Sequence, residues 1–373
     1  MRTREKKPIC PIRHTVVIVS AAVILLHRAL RGSHALMSRL SQTFVRPLLR
    51  RLGERCAACS FSVAELLMAA AVTLAVVYIL FCLEHRSRRG GFLSRLYRFV
   101  LSFVSFALAV YAGFCVLWGT CYYGDDFITR SGLEQRAISA EELQTVTAYF
   151  AALANTYAAQ VPRDTEGVCA TDRQEVLARS DGVFFNLERE YPCLEGAALR
   201  AKPVRLSRLL SYLDFTGFFF PFTGEANVNT DFPPSLFAST VAHELAHQRG
   251  VAKEQEANFV AVLACLSYGD PNYVYSAALM AYIHLNNALA SVNPPAAAAI
   301  RAELDEAVER DLEANKSYWA RFETPVQTAS NSFYEGFLQS YDQTLGLKSY
   351  GACVDLLVNY YYEDVRAFYG GTA

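Results

Sequence analysis

Histidine is scarce in this chain. Seven occur among 373 residues, and only His243, His247 and His284 lie beyond residue 120. A many-imidazole site is thereby excluded from the C-terminal two thirds, where any imidazole chemistry rests on three residues. Charge is also thin, at 19% of residues, and is absent from 66–83 and 99–118. Uncharged runs of eighteen and twenty mostly apolar residues are long enough at helical rise to cross a bilayer core, which a wholly soluble fold does not require. Cysteine is present but unpaired in pattern: Cys56-Ala57-Ala58-Cys59 has no second CxxC to complete a four-cysteine metal site.

The formal net charge of −1 hides a division. Residues 1–119 carry 17 Lys and Arg against 4 Asp and Glu; the remainder carries 18 against 32. An acidic C-terminal part repels phosphate backbones, so nucleic acid is excluded as a partner. The lipid bilayer is the partner of the basic part. A first hydrophobic stretch, residues 15–26, is short enough for a signal-peptide core, but the arginines that flank it favour an uncleaved span with snorkelling side chains. The turn at 84–98 has five arginines and one acid, which makes it cytoplasmic and carries the residues after about 120 to the extracytoplasmic side. The seven arginines of 28–60 oppose that topology. Alternation of basic and apolar residues at 46–52 answers the objection as a short helix resting on anionic headgroups.

The acidic part reads as mostly helical. Ser139 and Glu142 form a capping box before a helix to residue 158, and helical patterns follow at 171–190, 201–213, 235–249, 254–268, 271–290, 295–320 and 351–368. One region is extended: 218–222 and 226–230, interrupted by Thr223-Gly224. Cys169 and Cys193 flank one helical segment and are open to pairing in an oxidising compartment; Cys265 falls in an apolar stripe.

The chemistry is concentrated in His243-Glu244-Leu245-Ala246-His247-Gln248-Arg249-Gly250. On a helix, imidazoles at i and i+4 share one face and can hold one Zn2+, with Glu244 aimed at the open coordination position. A catalytic zinc needs a third protein ligand. Gly250 suits a left-handed helix end that turns the chain back, and the residues that follow offer Glu254 and Glu256. Either can be the ligand, and both read equally as first-turn residues of the next helix, favoured by its dipole.

HExxH is the arrangement of a zinc peptidase. In metzincins a third histidine follows in HExxHxxGxxH; here that position is Lys253, so that assignment fails. Glu254-Gln255-Glu256-Ala257-Asn258 resembles instead the ExxA(D/N) element of gluzincins. The resemblance implies Glu254 as third ligand and Asn258 as the group that orients a zinc histidine. Six residues between His247 and Glu254 are fewer than most gluzincins have, so Glu256 stays open. Residues 220–229, HELAHQRG with its EQEANF continuation, and Ser349-Tyr350-Gly351 leading into Val354-Asp355-Leu356-Leu357 resemble the DUF3810 family, uncharacterised bacterial membrane proteins. The resemblance covers most of the chain and implies a membrane region followed by a zincin-like domain, with no established substrate.

The expected architecture is N-terminal transmembrane helices plus a mainly α (α+β) zincin-like extracytoplasmic metallopeptidase domain. Residues 1–119 form the membrane region, with about three transmembrane helices (15–30, 62–83, 99–118) and a basic amphipathic loop at 31–60; residues 120–373 form the zincin-like domain. In zincins an edge strand before the motif binds the substrate backbone, which makes Asn227 and Asn229 substrate-side candidates; the alternative is a loop with structural hydrogen bonds. Glu244 is the expected general base for hydrolysis of a peptide or protein substrate. Tyr341 and Tyr350 are oxyanion candidates by their place in the C-terminal segment, while His284 reads more naturally as a helix-interface residue. Two other classes compete: a zinc-binding ectodomain without turnover, acting as a sensor, and a metal-free structural membrane protein.

Overall fold

The computed structural model describes residues 10–84, 92–341 and 350–370. It is mostly helical and divides into two compact units, Met1–Pro47 with Val63–Gly124, and Leu48–Ser62 with Asp125–Ala373.

The first unit contains three helices long and apolar enough to cross a membrane: Pro11–Leu30, Val63–Glu84 and Phe92–Leu117. The first begins earlier than its apolar pattern suggests because Pro11 sits in the opening turn, where proline's missing N–H is no loss. Its twelve-residue apolar core is thus part of a 20-residue helix. The Arg13 guanidinium donates to Arg98 O at 2.9 Å, joining the first helix to the third. Tyr78 and Ser102 hydroxyls, 2.8 Å apart, join the second to the third. Of the arginine-rich turn on which the topology argument rests, 85–91 lie outside the described residues.

The second unit is built around the helix Pro271–Val292, which packs along Ala140–Ala158 and beneath the two helices of the motif region, Phe237–Gln248 and Glu254–Tyr268. Ser139 forms the expected capping box, accepting from Glu142 N while Glu142 accepts from Ser139 N. A three-stranded sheet lies against the motif helix. Its strands are β1 (Lys202–Val204), β2 (Gly217–Phe220) and β3 (Glu225–Asn229), in the order β1-β3-β2, with β1 parallel and β2 antiparallel to β3.

Several expectations about elements need correction. The helix expected over 201–213 is β1 followed by a short helix, Ser207–Tyr212; Pro203 has no N–H to give a helix interior and is tolerated on an edge strand. The helix expected over 171–190 is broken by Ser180–Gly182 into Arg173–Arg179 and Leu187–Glu190. That expected over 295–320 is two helices, Pro294–Ala302 and Glu306–Ala320. An unforeseen helix, Pro325–Ser340, is capped by Thr324, which accepts from Gln327 N. Cys169 and Cys193 are not joined in a disulfide, and the Cys169 thiol pairs with the Thr171 hydroxyl.

The cut at 119/120 also misplaces one segment. The helix Arg46–Cys56 lies mostly in the second unit, with Leu49 and Gly53 buried and Arg50, Arg51 and Arg55 exposed. A Cβ at Gly224, whose φ is 67°, would collide with Leu49 O and Gly53 N, so only glycine admits this approach. The Lys202 ammonium then fixes the following loop, donating to Cys56 O (2.7 Å), Phe61 O (3.1 Å) and Glu225 Oε1 (2.6 Å). Lys202→Met leaves the buried Glu225 carboxylate without its counter-charge and is expected to destabilise the protein by about 3–5 kcal/mol. Thermal and urea unfolding of the purified full-length variant in detergent checks this.

Candidate metal centre

The motif helix Phe237–Gln248 starts where Pro233-Pro234 ends the extended chain, and it is buried over nearly its whole length. It ends as its sequence predicts. Gly250, at φ 79°, accepts the left-handed conformation; Gly250 N donates to His247 O at 2.8 Å and Val251 N to Ala246 O at 3.1 Å. These two bonds form a Schellman turn, and the next helix opens at Glu254.

The reversal brings three donors together. His243 Nε2 and His247 Nε2 are 3.1 Å apart, and Glu254 Oε2 lies 3.3 Å from the first and 3.5 Å from the second. The imidazoles stand edge to face, at an interplanar angle of 89°. Ligands about 2.0–2.1 Å from a tetrahedral zinc are roughly 3.3 Å from one another, so the donor set fits such an ion in spacing and type. His243, His247 and Glu254 form the one group of this kind among the described residues.

The electrostatics follow from crowding. Burial alone would raise the Glu254 carboxyl, but the two imidazoles hold it well below the usual carboxylate range. Burial alone would lower His247; beside Glu254, and with its Nδ1 N–H donating to Val251 O at 2.7 Å, it is instead taken up to about 9.

Glu244 is different. It is buried, its Oε2 has no hydrogen-bond partner among the described residues, and burial pushes its carboxyl up to about 7 against the opposing pull of His243 and His247. An unpartnered buried carboxylate oxygen is costly and rare outside functional sites. Its room comes from β2: a Cβ at Gly217 would stand 2.6 Å from Glu244 Oε1 and 2.7 Å from its Cγ.

The other expected site residues separate. Glu256 does not join the donors; it accepts from Phe127 N at 2.8 Å at the start of the helix Phe127–Ser131, and burial takes it up to about 7. Asn258 is buried but, among the described residues, makes no hydrogen bond to either histidine. The orienting acceptor for His247 is the Val251 carbonyl. Asn227 and Asn229 are fully buried on β3, which is the central strand, so they do not face a substrate. Asn227 meets Ser62 Oγ at 2.6 Å and donates to Glu225 O at 3.0 Å, while Asn229 donates to Ser211 Oγ at 2.9 Å and Phe215 O at 3.0 Å. The strand at the edge nearest Glu244 is β2.

Tyr341 follows the helix Pro325–Ser340, with its ring 5.2 Å from Phe337. Tyr350 opens the last helix, but its side chain lies outside the described residues. The tyrosine that reaches the donors is Tyr334, whose hydroxyl donates to Glu254 Oε1 at 2.8 Å. The sequence signal for it was Thr324-Pro325-Val326-Gln327, a capping pattern with proline at the first helical position. His284 is also nearby: burial and the charge of His243 lower it to about 4, so it stays neutral.

With this geometry in hand, the chain can be set beside known proteins. A family model described as a protein of unknown function, DUF3810, matches residues 41–358. The chain belongs to the DUF3810 family. No curated protein and no solved structure matches it. In this DUF3810 chain the matched span contains all three donors, Glu244, and the segment 48–62 that packs with them in one unit.

Two outcomes are expected here. Either His243→Ala or His247→Ala should abolish stoichiometric zinc uptake, and Glu254→Gln should weaken it, whereas Glu256→Gln should leave it intact; metal analysis of purified protein reads all four. Gly217→Ala should keep the metal but displace Glu244, so zinc content stays at the wild-type level while any hydrolytic activity drops.

Proposed function

We propose that this protein is a membrane-anchored, gluzincin-like zinc metallopeptidase that hydrolyses peptide bonds outside the cytoplasm. The observation that carries the reading is the buried Glu244 carboxylate, whose Oε2 has no hydrogen-bond partner among the described residues, beside three donors spaced for one tetrahedral ion.

His243, His247 and Glu254 would hold the zinc, which would supply Lewis acidity toward a carbonyl and a water acidic near neutral pH. Glu244 takes the proton of the attacking water and passes it to the leaving amine. Strand β2, at the sheet edge beside Glu244, lays out the substrate backbone by strand addition, in the role first assigned to Asn227 and Asn229.

Glu244→Gln preserves shape but cannot accept a proton, so zinc content should persist while peptide hydrolysis falls about a hundredfold or more. Full activity in that variant would end the peptidase reading and leave a zinc-binding sensor. Orientation is tested separately. The arginine-rich turn predicts that an alkaline phosphatase fusion after residue 125 is active and one at residue 90 inactive; the reverse pattern would put the zinc domain in the cytoplasm.

A further inference from the structure

A carboxylate ligand has two oxygens, and what holds the second one decides whether it binds a metal through one oxygen or through both. In Glu254 the division is explicit. Oε2 faces both histidine Nε2 atoms, and Oε1 accepts from the Tyr334 hydroxyl at 2.8 Å. A donor on the outer oxygen withdraws charge from it and fixes the carboxylate plane, as outer partners do for ligands generally.

Tyr334 is itself held by polar contacts. Its helix, Pro325–Ser340, buries only Leu338 among its own residues and leaves Phe333 79% exposed. Ser330 Oγ donates to Leu213 O at 2.9 Å, Asn331 Nδ2 donates to Asp214 Oδ2 at 2.8 Å, and the Tyr334 ring stands edge-on to Phe215 at 5.3 Å. Asp214 adopts a left-handed φ of 65°, a conformation that Asp tolerates better than most side chains. The turn it forms leads directly into Gly217, which makes room for Glu244. One turn thus locates the residues that set the outer environment of both carboxylates.

We propose that Tyr334 is a positioning residue of the metal centre: it restricts Glu254 to ligation through Oε2 and so keeps a coordination position open for the substrate carbonyl. This rests on the zinc reading above and specifies how the site stays open. Without the hydroxyl, Oε1 would be free to turn inward as a fourth protein contact, and the three-donor arrangement would be lost.

The test uses full-length protein in detergent, stripped of metal and reloaded with Co2+, whose visible bands weaken and shift as coordination number rises. Tyr334→Phe is expected to weaken those bands relative to wild type, and to lower zinc affinity about tenfold or more in chelator competition. Phe333→Ala, on the exposed face of the same helix, should match wild type in both. An unaltered spectrum and affinity in Tyr334→Phe would overturn the inference and leave the metal centre standing. A change of equal size in Phe333→Ala would also overturn it, by assigning the effect to the helix as a whole. Failure of the wild type to take up Co2+ would sink both readings. Should Tyr334→Phe not accumulate, Asn331→Ala, which frees the helix from Asp214 with the tyrosine retained, must lower affinity in the same direction; wild-type behaviour there overturns the proposal.

Discussion

One left-handed residue governs the geometry of the site. Gly250, at φ 79°, ends the motif helix in a turn that costs a residue with a Cβ about 1–2 kcal/mol in backbone energy. Within four residues of that turn the chain presents Glu254 to the two histidines. The same turn supplies Val251 O to His247 Nδ1, which fixes the imidazole tautomer so that Nε2 faces the other donors. Ligand position and ligand orientation are therefore set by a single conformational choice.

The residues just before Gly250 tie the motif helix to its surroundings. Gln248 Nε2 donates to Gly224 O at 2.8 Å, at the tight turn against which Leu49 and Gly53 pack. The buried Arg249 guanidinium lies 4.2 Å over the Phe184 ring and 3.6 Å from Glu188. Burial lowers Arg249 to about 10, so it remains charged at neutral pH. The segment 48–62, the sheet and the motif helix accordingly share contacts through Lys202, Gly224 and Gln248.

Legibility in the sequence followed the range of the interactions. His243, His247, Glu254 and Gly250 lie within twelve residues, and their relation is a matter of helix period and one turn, so spacing alone was informative. Glu256 failed as a ligand because it serves the backbone of Phe127, a partner far away in the chain. Asn227 and Asn229 were assigned to the substrate because the extended region was legible but its strand order was not. β1 was hidden by its neighbours' helical pattern, and with β1 in place β3 becomes central. Tyr334 was missed for two reasons: it is 80 positions from Glu254, and its helix is polar, with Ser, Asn and Gly where apolar periodicity would normally appear. The Arg46–Cys56 helix was read from its basic face alone; its buried face, Leu49 and Gly53, has meaning only against Gly224.

Buried polar groups are usually satisfied, although the second unit holds several exceptions, among them Ser235 Oγ, Tyr282 Oη and Asn286 Oδ1. Asp311 illustrates that rule: fully buried, it accepts from Cys169 N at 2.7 Å, Arg163 at 3.1 Å and the Tyr275 hydroxyl. Glu244 Oε2 and His243 Nδ1 have no such partners. Each orphaned atom costs stability on the order of 1–3 kcal/mol. A helix so thoroughly buried on its other faces can carry that cost, since its apolar residues contribute far more through their packing. Among the described residues two imidazoles and a carboxylate are assembled here, and a functional site is one setting in which such local rules are expected to break. The unpartnered oxygen of Glu244 lies beside that donor set, and this proximity is why the proposed peptidase reading gives Glu244 the proton-transfer role.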